Sequence, residues 1–151
     1  SLARKAFFEA AGWSIDRHVP EFGCTVGEEL LRVHRCYARS VHPLLERVQV
    51  KGMAHITGGG IPDNLVRCLP EGCRAVVEKS RWEVPPVFRL LQQIGRIEER
   101  EMFHVFNMGV GLVLVLAPDE VEAAASFLTA RGETVFAIGQ IEAGERGVVI
   151  I

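Results

Sequence analysis

The segment His55-Ile56-Thr57-Gly58-Gly59-Gly60 sets an imidazole and a hydroxyl beside three consecutive glycines. Each glycine loses more backbone freedom on folding than any other residue, so a run of three points to a place where side chains would be in the way. Bare backbone N–H groups in a tight loop can close around an anion. Imidazole takes and gives protons near neutral pH, and a threonine hydroxyl both donates and accepts. Pro62 and Asp63 follow and open a helix, so the loop is expected at a strand-to-helix junction, where free N–H groups converge. A tight turn needing positive φ is the plainer reading, although one glycine would satisfy it. No Gly-Lys-Ser/Thr follows, so this is not a Walker loop.

A second segment, Phe106-Asn107-Met108-Gly109-Val110-Gly111, has the parts of a ligand-lining loop. Asn107 tolerates unusual backbone angles and carries two donors and an acceptor. The alternative makes Asn107 or Gly109 the left-handed cap of the preceding helix. The other candidates carry less. His34 and His42 are eight residues apart, and Pro43 interrupts the helix that would align them, so they lack the clustering a metal site needs. His18, beside Pro20, reads as a surface residue. Trp82, before Pro85-Pro86, reads as a core anchor beneath a loop in preference to a groove wall.

A net charge of −2 over 151 residues leaves no basic footprint for nucleic acid. The apolar stretch near Val110–Ala117 falls far short of the ~20 residues of a membrane-spanning helix, so no membrane association is expected. Ser1-Leu2-Ala3-Arg4-Lys5 is not a signal peptide. Ser1 opens into an apolar helical run without a Met, which reads as a piece of a longer chain. Cys24, Cys36, Cys68 and Cys73 show no Cys-x-x-Cys spacing. A chain this apolar does not need disulfides, so free thiols in a reducing cytoplasm are expected, with a Cys68–Cys73 bridge as the alternative.

The elements that must hold these loops follow from periodicity and punctuation. Helices are predicted over Ser1–Ala11 with Gly12 as stop, Val26–Val33, Val41–Val48 with Pro43 in its first turn, Ile61–Leu69, Val87–Ile94 closed by Gly95, Glu98–Phe106 and Pro118–Arg131. Strands are predicted over Val50–Thr57, Arg74–Glu78, Val110–Leu116 as a central strand, Thr134–Ile138 and Gly147–Ile151. A turn-rich link over Gly139–Arg146 makes the last two antiparallel neighbours. The result is a single α/β (α+β) domain over residues 1–151, a mixed β-sheet with helices packed against it.

Four segments in order carry a resemblance. They are Val50–Gly60, then Asn64-Leu65-Val66-Arg67-Cys68-Leu69-Pro70, then Trp82-Glu83-Val84-Pro85-Pro86-Val87-Phe88, then Glu101–Gly111. Together they resemble the C-terminal half of the aminoimidazole ribonucleotide synthetase (phosphoribosylformylglycinamidine cyclo-ligase) family, over essentially the whole chain. One segment departs: where the family shows Thr-Pro-Thr-Arg before an aromatic, this chain reads Arg32-Val33-His34-Arg35, keeping Arg35 and Tyr37. The resemblance implies ATP-dependent ring closure of formylglycinamidine ribonucleotide in purine biosynthesis. It implies ATP and Mg2+ held mainly by an N-terminal domain absent from this chain, no cofactor bound to the chain alone, a homodimer in the full-length form and an inactive fragment. For that chemistry the residues suggest His55 as general base or hydrogen-bond donor, Thr57, Gly58, Gly59 and Gly60 at the phosphate or substrate, and Asn107, Met108 and Gly109 on the substrate side. The alternatives are a binding module without turnover, or a member of the same ATP-dependent group with a different small substrate.

Overall fold

In the computed structural model, which describes all residues from Ser1 to Ile151, helices pack against three small sheets in an α+β arrangement. The chain begins with α1 (Leu2–Arg4), which runs on as a π-helical stretch over Lys5–Ala10 and stops at Gly12 with φ +64°. A minimal hairpin of β1 (His18–Val19) and β2 (Cys24–Thr25) leads into α2 (Val26–Leu30). Thr25 and Glu28 form a capping box there: Glu28 N donates to Thr25 Oγ1 at 3.2 Å, and Thr25 N donates to Glu28 Oε2 at 2.8 Å. Next come α3 (Ala38–Leu45), β3 (Gly52–His55), α4 (Gly60–Leu65), β4 (Cys73–Val77), α5 (Pro86–Gly95), α6 (Glu99–Val105), β5 (Leu112–Val115), α7 (Val121–Thr129), β6 (Gly139–Ala143) and β7 (Gly147–Ile150).

Most elements fall where the sequence pattern puts them, and α5 starts at a proline and ends at a glycine as such signals dictate. Three expectations are corrected. First, α3 starts at Ala38, so Pro43 lies inside the helix, where its missing N–H leaves a gap in the ladder. Second, Val110–Leu116 supplies no central strand: β5 pairs only with β3, antiparallel, from Gly52↔Val115 to His55↔Leu112. Third, Thr134–Ile138 is not a strand, and the last two strands are not neighbours. The strand is β6, and β4 stands between it and β7, antiparallel to the first and parallel to the second.

The physical reason for that third difference is reach. Two strands flanking a third lie roughly 10 Å apart. The four residue steps from Ala143 to Gly147 extend to about 13–14 Å. A link short enough for a hairpin is therefore also long enough to arc over the start of β4, and Gly144 N fastens it there by donating to Gly72 O at 3.0 Å.

The main core gathers Phe7, Ile56, Ile61, Leu91 and Met102, all essentially sealed from water. A second, smaller core holds Leu44, Ala124 and Leu128 beneath α3 and α7. Between them lies an apolar cavity of about 490 Å3, walled by β5, β4 and the irregular stretch after Glu133.

All four cysteines are free thiols, so the Cys68–Cys73 bridge does not form. Cys36 is exposed, whereas Cys68 is half-buried, its Sγ donating to Leu65 O at 3.2 Å, and burial pushes its thiol up. The thiolate is the reactive form, so limiting alkylating reagent should modify Cys36 first and Cys68 about tenfold more slowly. Mass spectrometry of timed digests reads that order.

Candidate functional site

The two glycine-bearing loops leave the same end of the β3–β5 ribbon. His55 ends β3 opposite Leu112, which begins β5, and Ile56 N donates to Gly111 O at 2.9 Å. The loop after β3 and the loop before β5 therefore lie side by side. Gly60 ties them further. It sits at φ +60°, and a Cβ there would land on the carbonyl oxygen of Phe103, with that of Phe106 just behind. Only a bare Cα lets the start of α4 approach the end of α6 this closely.

Asn64 shapes the glycine loop from beneath. The residue is 5% exposed, and its Nδ2 lies 2.7 Å from Gly60 O, 3.2 Å from Gly58 O and 3.3 Å from Thr57 O. The Thr57 hydroxyl donates to Asn64 Oδ1 at 3.4 Å. In a trans peptide the carbonyl and the next N–H point in opposite directions, and no peptide here is cis. Drawing the carbonyls of Thr57 and Gly58 inward therefore turns the amides of Gly58 and Gly59 outward. Neither amide donates within the chain; Gly58 is exposed and Gly59 half-buried. The Gly60 amide differs: it closes the turn by donating to Thr57 O at 2.9 Å, on a buried residue.

In the second loop, the Gly109 amide donates to Asn107 Oδ1 at 3.0 Å, an Asx turn that leaves Asn107 Nδ2 without a partner in the chain. Met108 is left-handed at φ +52° and buried, so its side chain belongs to the core while only its backbone shapes the loop. A non-glycine residue in that region costs of order 1 kcal/mol. The indole of Trp82, 6% exposed, donates to Met108 O at 2.9 Å and pins that peptide. Trp82 is thus the anchor beneath a loop that its sequence context predicts.

One residue enters the site that sequence reasoning left aside. The segment between α2 and α3 lies over Gly111, where a Cβ would strike the Tyr37 hydroxyl and crowd the His34 ring. His34 Nε2 lies 2.8 Å from His55 Nε2, the two rings edge to face. Tyr37 packs edge-on against His34, and burial pushes its phenol up. Arg35 points elsewhere: its Nε pairs with Glu133 Oε2 at 2.7 Å, its Nη2 donates to Gly132 O at 2.9 Å, and Ser40 Oγ donates to Glu133 Oε1 at 2.5 Å. That latch fixes the segment carrying His34. His42, the partner weighed in the sequence, sits within α3.

The polar groups thus converge on an exposed rim. The apolar cavity has Tyr37, Gly109 and Gly111 among its walls, but neither His55 nor any of Gly58, Gly59 and Gly60. No group of three or more His, Cys, Asp or Glu side chains is arranged to hold a metal ion.

Relatives and solved structures agree with this architecture. A phosphoribosylformylglycinamidine cyclo-ligase from Caldanaerobacter subterraneus subsp. tengcongensis is 47% identical over 150 residues, covering 99% of this chain and 44% of the relative. One from Citrifermentans bemidjiense is 48% identical over 147 residues, covering 97% and 42%. The chain therefore spans less than half the length of these relatives. Escherichia coli HypE, a hydrogenase maturation protein, superposes with a TM-score of 0.60 at 21% identity over 82% of this chain and 39% of that one, a likeness of fold. The profile of the AIR synthase related protein C-terminal domain matches residues 3–151, and the chain belongs to that family.

Proposed function

We propose that this chain is the substrate-facing part of a phosphoribosylformylglycinamidine cyclo-ligase, in which the Gly58 and Gly59 amides receive an anionic group of formylglycinamidine ribonucleotide or the phosphate that leaves it. The observation that carries this reading is the pair of outward amides set by Asn64. Donors fixed before the reaction and aimed at developing charge are usually the largest single catalytic contribution. The reaction consumes ATP to phosphorylate the formyl-amide oxygen; the ring nitrogen then attacks that carbon, and the oxygen leaves it as part of the phosphate. Thr57 stands at the mouth of the cup, and Asn107 offers its free Nδ2 from the neighbouring loop. His55 accepts the proton that ring closure releases. The cup takes an anion through neutral amides, so metal and ATP are assigned to the part of the protein outside this chain. On this reading the chain turns over no substrate alone, and its partner is its own N-terminal half.

Amide NMR of the chain, titrated with formylglycinamidine ribonucleotide and then inorganic phosphate, should move the Gly58 and Gly59 resonances with both ligands. Resonances unmoved at saturating substrate would remove the cup. In the full-length protein, His55→Ala should lower kcat/KM about a hundredfold. Thr57→Ala should lower it about tenfold, the loss of one hydrogen bond in the site. Wild-type kcat/KM in both variants contradicts the site assignment.

A further inference from the structure

We propose that His34 and His55 work as one proton-sharing dyad, in which His34 is the positioning residue that decides which nitrogen of His55 is free to take a proton. The starting point is the 2.8 Å contact between the two Nε2 atoms. A neutral imidazole has one N–H and one bare nitrogen, so this contact needs one ring to donate and the other to accept. If His55 donates, its Nδ1 is bare and accepts. If His34 donates, His55 carries its proton on Nδ1 and becomes a donor there. Which ring donates across the contact thus sets which of the two roles His55 takes in the loop.

The same geometry allows proton movement that balances. A proton taken by His55 at Nδ1 makes an imidazolium. The Nε2–H of His55 then passes to His34 Nε2, and the Nδ1–H of His34 leaves to water. Both rings end neutral with their protons on the opposite nitrogens, and one proton has crossed from the loop to solvent. The first added proton is stabilised because an imidazolium donates to a neutral acceptor, a charge-assisted bond. A second is opposed because two N–H groups would then face each other. The surroundings add little charge. On the segment of His34 the other charged or titrating groups are Arg32, paired with Glu29 at 2.7 Å, Arg35, engaged by Glu133, then Cys36 and Tyr37; from the ribbon, Leu112 opposite His55 and Gly111 beneath His34 do not titrate. His34 stands in the segment that departs from the Thr-Pro-Thr-Arg pattern of the family resemblance.

The catalytic use of the dyad rests on the reading of His55 given above, while its existence does not. Nitrogen-15 NMR of the histidine rings, with chelator present throughout, reads tautomer and titration directly. Expected is coupling through the shared hydrogen bond: His34→Ala changes the tautomer of His55, and His55→Ala changes that of His34. His34→Gln, whose amide can hold the hydrogen bond but pass no proton, should keep the ring of His55 in place while abolishing the coupling. In the full-length protein His34→Gln should lower kcat/KM about tenfold and remove one ionisation from its pH profile. Identical tautomer populations of His55 in wild type and His34→Ala overturn the dyad. Coupling that persists while His55→Ala retains wild-type kcat/KM supports the dyad and overturns the catalytic reading alone.

Discussion

Replacing Gly60 by alanine should destabilise the protein by roughly 3–4 kcal/mol, the combined cost of a left-handed non-glycine residue and of pushing two backbones apart. For a domain of this size that is a fall in melting temperature of roughly 10 °C. The new methyl would fall on the Phe103 carbonyl, which is backbone at the end of α6 and has no rotamer into which to retreat. Relief requires α4 and α6 to separate, and that parts the two loops of the site. Gly58→Ala is the matched comparison. Its φ is not positive, and no atom lies within 4 Å of the added Cβ. Stability should change by no more than about 0.5 kcal/mol, as at an unencumbered surface position. The methyl would nevertheless stand beside an outward amide, so affinity for the anionic substrate should fall. Thermal melts of the two variants, set beside substrate titrations, separate a glycine kept for packing from a glycine kept for a ligand. Melts that coincide would contradict the close approach at Gly60.

Gly58 and Gly60 therefore stand in one run for different reasons, and a run of identical letters conceals that. The sequence signal was compositional and correct in place: a strand, then the loop, then a helix. It carried no information on which amide would be spent inside the turn. Trp82 was legible because an indole before Pro85-Pro86 needs both apolar burial and a partner for its N–H, and Met108 O meets the second need. His34 was not, because its partner lies 21 residues away on another element, and no helical or strand period links the two. The only trace was a departure from the family pattern at Arg32-Val33-His34-Arg35. The order β6-β4-β7 escaped for a similar reason. A three-residue link permits either a hairpin or a crossing over β4, and the choice is settled by long-range packing. Asn64 stood in plain view within a resembling segment, yet polar residues in helices mostly face water, and only its burial shows its work.

That burial makes Asn64→Leu the most informative change in the loop. Leucine preserves the volume but removes every hydrogen-bonding atom of the side chain, leaving the Gly58 carbonyl and the Thr57 hydroxyl to find water or go without, while Thr57 O keeps the Gly60 amide. A buried polar group left without its partner costs about 1–3 kcal/mol, so a loss of roughly 3 kcal/mol is expected from a group that serves several acceptors at once. The functional loss should exceed what that destabilisation explains at temperatures where the variant remains folded. Without Asn64 the Thr57 carbonyl keeps only the Gly60 amide and the Gly58 carbonyl keeps no donor, so the Gly59 amide above all loses its fixed outward direction. Turnover in the full-length protein should then drop by about a hundredfold or more, in line with the removal of preset donors. Asn64→Asp gives the electrostatic complement. It keeps the acceptor for Thr57 and replaces the donor by an oxygen facing carbonyl oxygens, which, together with burial, favours the protonated acid. A carboxyl whose folded-state pKa is raised contributes stability in full below its unfolded value of about 3.9, and loses it as pH rises through the folded value. Denaturant melts of Asn64→Asp should accordingly show stability falling between about pH 4 and pH 7 relative to wild type, while Asn64→Leu shows no such added slope. Parallel pH curves for the two variants would mean that the amide of Asn64 does not hold the loop, and that the outward amides are set by something else.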